Sequence, residues 1–133
     1  VASLVGAVGV LAIEMFVTSQ GVVINEVATR PHNSGHWSIE GAITSQFSNH
    51  LRAVGGLALG DTSVRAPFIT MINVVGGDSE PAWDALGQFD GTFVHHYRKE
   101  NRPGRKLGHV TIVSNDETLH SHRVQGVRDV LGI

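Results

Sequence analysis

Gly21-Val22-Val23-Ile24-Asn25-Glu26-Val27-Ala28-Thr29-Arg30-Pro31-His32-Asn33-Ser34-Gly35-His36-Trp37 begins as an apolar, β-rich run and ends as a polar loop. Pro31 and Asn33-Ser34-Gly35 are turn formers, so they stop the strand and leave a carboxylate, a guanidinium, two imidazoles and two amides at its end. Upstream, Gly9-Val10-Leu11-Ala12-Ile13-Glu14-Met15-Phe16-Val17 reads as a second apolar strand, and Thr18-Ser19-Gln20-Gly21 connects the two as a short hairpin. Each strand carries one acid that interrupts apolar neighbours and reads as buried, Glu14 and Glu26. With the reversal centred near Ser19-Gln20, partners have residue numbers summing to about 39 or 40, which makes the two acids cross-strand neighbours. Adjacent carboxylates repel unless a cation or a shared proton intervenes, and Mg²⁺ is the natural cation for an all-oxygen pair working with phosphates. The alternative is two solvated acids on an edge strand.

From Ser38 to Ala53 the sequence predicts one helix, continuous or interrupted, with Ile39, Ile43, Phe47, Leu51 and Val54 as a core stripe. Gly55-Gly56-Leu57-Ala58-Leu59-Gly60 reads as a helix stop and linker, because it lacks the Gly-Lys-Ser/Thr ending of a phosphate loop. A boundary is expected there, dividing the chain into 1–60 and 61–133. In the second part Ala66 to Val75, Thr92 to Tyr97 and Lys106 to Val113 predict a three-stranded antiparallel sheet, with a helical turn from Pro81 to Leu86 and an Asn101-Arg102-Pro103-Gly104 reversal. Thr118 to Leu131 predicts a terminal helix capped by Asn115-Asp116, with Leu119, Val124, Val127, Val130 and Leu131 on its apolar face and Arg123, Arg128 and Asp129 away from it. The class is α+β.

Composition is that of an ordinary globular segment: 133 residues, 41% hydrophobic, net charge -2. That charge gives no basis for a nucleic-acid partner. Zero cysteines exclude disulfides and thiolate metal sites. The N-terminal apolar run is broken by Glu14, too short to span a bilayer and without the basic flank of a signal peptide, so no membrane role and a cytoplasmic location are expected. The eight histidines offer poor zinc geometry: His95-His96 point to opposite faces of a strand, and His120 and His122 diverge on a helix. His32 and His36 are four apart but lie in a Pro/Gly loop, where anion or substrate contact suits them better. Arg98, Lys99, Arg102, Arg105 and Lys106 make a local anion trap or, alternatively, a solvated turn.

Glu14-Met15-Phe16-Val17, Asn25-Glu26, Arg30 to Trp37, Thr44-Ser45-Gln46-Phe47 and His50-Leu51-Arg52-Ala53-Val54, together with Arg102-Pro103-Gly104-Arg105-Lys106-Leu107-Gly108-His109-Val110, closely resemble the 5-(carboxyamino)imidazole ribonucleotide synthetases. The resemblance implies the end of an ATP-grasp domain, an antiparallel hairpin plus helix, followed by a small antiparallel β subdomain with a terminal helix. It covers nearly the whole chain. It implies an ATP- and bicarbonate-dependent carboxylation of aminoimidazole ribonucleotide in purine biosynthesis, through carboxyphosphate. By position, Glu14 and Glu26 resemble Mg²⁺ ligands, Asn25 and Glu26 contact ATP, and Arg30, His32 and Asn33 hold bicarbonate or carboxyphosphate. Lys99, Arg102, Arg105 and Lys106 resemble the grip on the ribonucleotide's phosphate, which requires the fold to bring that turn to Arg30. The resemblance also implies a missing N-terminal ATP-grasp half and a homodimer. Thr29 stands where the pattern has proline, which loosens the loop without removing a functional group. Two other readings stay open: a folded fragment without its own activity, and an unrelated anion-binding module.

Overall fold

In the computed structural model, which describes residues 1–133, the reversal at Ser19-Gln20 joins β1 (Ala12–Thr18) to β2 (Gly21–Ala28) as an antiparallel pair. Thr18 closes the turn, its hydroxyl donating to the Gly21 carbonyl at 2.8 Å and accepting from the Gln20 amide at 3.2 Å. β1 starts at Ala12, later than its apolar composition suggests, because the Val10 amide is already bonded to His50 Nδ1 at 3.1 Å. Near the strand ends the register pairs Ala12 with Ala28, Ile13 with Val27 and Glu14 with Glu26; beyond that it shifts, pairing Met15 with Ile24 through to Thr18 with Gly21. Asn25 is therefore the extra residue of a β-bulge.

The helix expected from Ser38 to Ala53, continuous or interrupted, is interrupted: α1 (Ser38–Gly41) and α2 (Gln46–Val54). Ala42 is extended, and Ser45 starts the second helix as its N-cap, accepting from the Ser48 amide at 3.2 Å. The stripe does not form a core: Ile43, Phe47, Leu51 and Val54 are all exposed, Leu51 at 70%. Periodicity identified one face of a helix, but no layer of this unit covers it. The Gly55 to Gly60 run stops α2 and is then tied back to it, for Asn49 bonds both the Gly60 amide at 2.8 Å and the Gly60 carbonyl at 3.3 Å. Two compact units result, Val1–Ser63 and Val64–Ile133.

The second unit is the expected antiparallel sheet, in the order β3 (Phe68–Val75), β5 (Lys106–Ser114), β4 (Thr92–His96), with α3 (Trp83–Leu86) and α4 (Glu117–Leu131). Its core takes Ile72 and Val74 from β3, Val110 and Ile112 from β5, Leu86 from α3 and Val127 from α4. Asp116 caps α4, accepting from the Leu119 amide at 2.8 Å. Two expectations for α4 fail. Leu119 is 52% exposed, and His120 takes the buried place, because His120, Val124, Val127 and Leu131 follow one row of the helix. Arg123 is not a free surface charge either; it lies largely buried and pairs with Asp90 at 3.2 Å. No helix is long and apolar enough to cross a membrane.

His120 Nε2 meets the Thr70 hydroxyl at 2.7 Å, linking α4 to β3. Burial, with the Arg123 charge second, holds its pKa below the ordinary 6.5. The unfolded chain therefore takes up this proton at higher pH than the folded one, so the stability contribution is full above about 6.5 and is lost as pH falls below it. His120→Gln, which keeps a donor or acceptor at the Nε2 position, should flatten the fall in urea midpoint between neutral pH and pH ~5. An unchanged slope would show that His120 titrates alike in both states.

Candidate functional site

The bulge at Asn25 puts two consecutive residues against the same partner. Glu26 lies opposite Glu14 in the ladder, and Asn25 Nδ2 donates to Glu14 Oε1 at 2.5 Å. Neither acid is buried as its neighbours suggested: the side chains of Glu14 and Glu26 are 41% and 47% exposed, because a two-stranded hairpin has no second layer over it. Both carboxylates are thus open to a ligand as well as to each other.

His32 approaches this pair from the loop. Its Nε2 stands 3.9 Å from Glu14 Oε2 and 3.6 Å from Glu26 Oε1, while its side chain is nearly buried. Nδ1 accepts from the Ser34 amide at 3.3 Å and meets the Ser34 hydroxyl at 2.8 Å. With Nδ1 accepting, the ring proton sits on Nε2 and faces the carboxylates. Arg30 follows at the rim: its guanidinium donates to the Pro31 carbonyl at 3.1 Å, comes within 3.9 Å of Glu26, and is two-thirds exposed. Asn33 opens the 3₁₀ turn Asn33–Gly35, its carbonyl accepting from the His36 amide.

Gln46 was not among the expected site residues, yet it holds the loop. Its Oε1 accepts from the His32 amide at 2.9 Å, and its Nε2 donates to the His32 carbonyl at 2.7 Å and meets His36 Nδ1 at 2.8 Å. Gly35 permits this, since a Cβ there would strike the Gln46 amide. The His36 imidazole is thereby engaged in fixing the loop, and the His32 ring bonds Ser34 within it, as the four-residue spacing did not reveal. A side chain that spans both polar groups of a distant backbone residue leaves no local sequence signal; only the Thr44-Ser45-Gln46 cap pattern marks the neighbourhood.

The basic turn lies in the second unit. Arg102 is engaged by Glu100, at 2.6 Å and 3.2 Å from one carboxylate oxygen, and Arg105 donates to the Glu100 carbonyl at 3.5 Å. Lys99 rests over the Tyr97 ring, 5.1 Å from its centre, and Lys106 begins β5. Asn101 pins the turn by donating to the Gly77 and Ser79 carbonyls and accepting from the Gly77 amide. Gly76 closes the seam: its amide bonds the Arg105 carbonyl at 2.8 Å, and a Cβ would run into Asn101 and the Arg102 carbonyl.

Of the histidine pairs, His95 and His96 do face opposite ways, His95 stacking on His109 and His96 on Trp83. No group of three or more His, Cys, Asp or Glu suited to a metal occurs. The donor set at the hairpin is two accessible carboxylates. That set fits a hard cation such as Mg²⁺, which keeps several waters and takes its remaining oxygens from phosphates.

The first unit thus carries an open carboxylate pair on a bulged hairpin, and the second a small three-stranded sheet with a pinned basic turn. The family model described as ATP-grasp domain matches residues 1–47, and that described as phosphoribosylaminoimidazole carboxylase C-terminal domain matches residues 70–123. The N5-carboxyaminoimidazole ribonucleotide synthase of Mycobacterium tuberculosis is 47% identical over 119 residues, which are 84% of this chain and 28% of that protein. Its counterpart from Vibrio parahaemolyticus is 48% identical over 131 residues, covering 98% and 34%. The crystal structure of N5-carboxyaminoimidazole ribonucleotide synthetase from Thermus thermophilus matches with a TM-score of 0.86 at 41% identity, over 97% of this chain and 35% of that one. The Aspergillus clavatus synthase in complex with ADP and the aminoimidazole ribonucleotide matches with 0.83 at 33%, over 94% and 35%. The chain belongs to the N5-carboxyaminoimidazole ribonucleotide synthase family of ATP-grasp proteins, and it spans about a third of the length of these relatives.

Gln46→Leu strips both bonds from the His32 backbone, and leaving a buried amide and carbonyl unpaired costs roughly 1–3 kcal/mol per group. The chain should lose stability in that range in urea, and the His32 ring resonances should broaden. A variant as stable as the parent, with sharp His32 signals, would remove Gln46 from the support of the site.

Proposed function

We propose that the chain is the closing part of an enzyme that uses ATP and bicarbonate to carboxylate aminoimidazole ribonucleotide in purine biosynthesis. The observation that carries this reading is Glu14 opposite Glu26 with His32 Nε2 facing both, within a chain 47% identical to a named synthase. The remaining two thirds of the relatives' length would supply the rest of the nucleotide site. A cytoplasmic location and a homodimer are part of the same reading.

In this reading Glu14 and Glu26 would hold Mg²⁺, which would neutralise the ATP phosphates. Asn25 fixes Glu14 and stands beside the nucleotide. Arg30 offers a planar fork to bicarbonate and then to carboxyphosphate. His32 and Asn33 shape the pocket in which that charge develops. A bicarbonate oxygen attacks the γ-phosphorus and ADP leaves. The amine of the ribonucleotide then attacks the carboxyl carbon, inorganic phosphate departs and the amine gives up a proton. Lys99, Arg102, Arg105 and Lys106 take the ribonucleotide's phosphate, with Arg102 already half neutralised by Glu100.

Glu26→Gln preserves shape and removes a metal-facing charge. In the complete enzyme it should abolish most turnover while the melting temperature stays close to the parent's. Turnover within about threefold at saturating Mg²⁺, a change of well under 1 kcal/mol in the barrier, would sink the metal assignment.

Arg30→Lys keeps the charge and loses the fork. Steady-state titrations should show a raised bicarbonate requirement and a nearly unchanged ATP requirement. Equal shifts in both would make Arg30 a structural residue.

A further inference from the structure

We infer that Tyr97 is a positioning residue for Lys99, holding its ammonium ready for a phosphomonoester, and that buried His109 anchors Tyr97. The inference rests on the reading of the basic turn as the phosphate grip and names what makes that grip rigid.

A lysine on an exposed turn is a mobile point charge on a four-carbon stem, and it binds an anion only after losing that freedom. Here the freedom is already reduced. Tyr97 still belongs to the sheet, its amide bonded to the Leu107 carbonyl at 2.8 Å. Arg98 then adopts a φ of 54°, the single non-glycine residue of the chain at positive φ. Side chains other than glycine seldom take that conformation, and where they do, an outlier held by its surroundings marks a constrained site. The consequence is geometric: the chain turns back, and Lys99 Nζ comes to 5.1 Å from the centre of the Tyr97 ring, inside the range of a cation–π contact.

The ring is itself fixed at its far end. The phenol oxygen lies 2.6 Å from His109 Nδ1, and the two rings meet edge to face at 5.7 Å. His109 is 1% exposed, lies on the central strand β5, and is stacked on His95 at 4.3 Å. Burial raises the Tyr97 pKa, so the phenol keeps its proton and remains a partner for Nδ1. The row Lys99, Tyr97, His109 thus runs from an exposed cation to the central strand, with His95 of β4 stacked on its inner end. Asn101 fixes the other side of the same turn.

The test is ribonucleotide titration of the complete enzyme, at saturating ATP and bicarbonate, with Lys99→Ala, Tyr97→Leu, Tyr97→Phe and the double variant Tyr97→Leu/Lys99→Ala. Removing a cation from a phosphate should raise the ribonucleotide KM about tenfold or more with little change in kcat. Tyr97→Leu should raise it about threefold to tenfold, the scale of a cation–π contact, and leave the ATP KM alone. Tyr97→Phe keeps the ring face and should restore most of the affinity. The double variant should be no worse than Lys99→Ala, since Tyr97 acts through Lys99. Losses that multiply in the double variant, or a ribonucleotide KM unmoved by Tyr97→Leu beside a strong Lys99→Ala effect, overturn the positioning role alone. An unmoved KM in Lys99→Ala overturns the phosphate reading of the turn and the inference with it. Should Tyr97→Leu melt early, the same cycle run with Tyr97→Met, which also removes the ring face, decides between the outcomes: coupling to Lys99→Ala supports the role, independence overturns it.

Discussion

Two carboxylates set opposite each other on a hairpin repel, and the first unit is organised around that repulsion. Glu14 and Glu26 share one rung of the ladder. Asn25 donates to Glu14, the His32 ring turns Nε2 toward both acids, and Arg30 stands near Glu26. Each of these groups places positive charge or an N–H beside the pair, which lowers the cost of holding it. None of them buries it. The pair remains accessible, so the compensation is partial.

The loop that delivers His32 is held by side chain rather than by strand pairing. Gln46 reads the His32 backbone as a neighbouring strand would, one donor to the carbonyl and one acceptor for the amide. A single helix from Ser38 to Ala53 would turn Gln46 with the rest of one rigid rod. The break at Ala42 and the new cap at Ser45 let α2 begin with Gln46 against the loop. The helix interruption and the site geometry are therefore one feature.

The sequence made the elements legible where residue chemistry is local. Thr18 to Gly21 announced the hairpin, and the numbering rule of 39 or 40 anticipated the Glu14 and Glu26 rung, both values proving true on either side of the bulge. The strands of the second sheet and the Asp116 cap were equally readable. What failed depends on what packs against a face. The Ile43, Phe47, Leu51, Val54 stripe had the period of a core and no cover in its unit, and His120 displaced Leu119 because a row of four helical residues, not hydrophobicity, set the buried side. At the site, Glu14, Glu26, His32 and Arg30 do come together, whereas Gln46, Asn101 and Tyr97 act across long sequence separations that no local pattern records.

A sheet of two strands has no interior strand. β1 and β2 each present an outer row of backbone N–H and C=O groups, flanked by exposed Phe16, Val17, Val22, Val23 and Ile24. Such an edge accepts any extended chain that reaches it, including another copy of itself. Concentrated solutions of this segment should therefore thicken toward fibrous or gel-like material by strand addition, and a peptide supplied to occupy the edge first would act as a solubiliser.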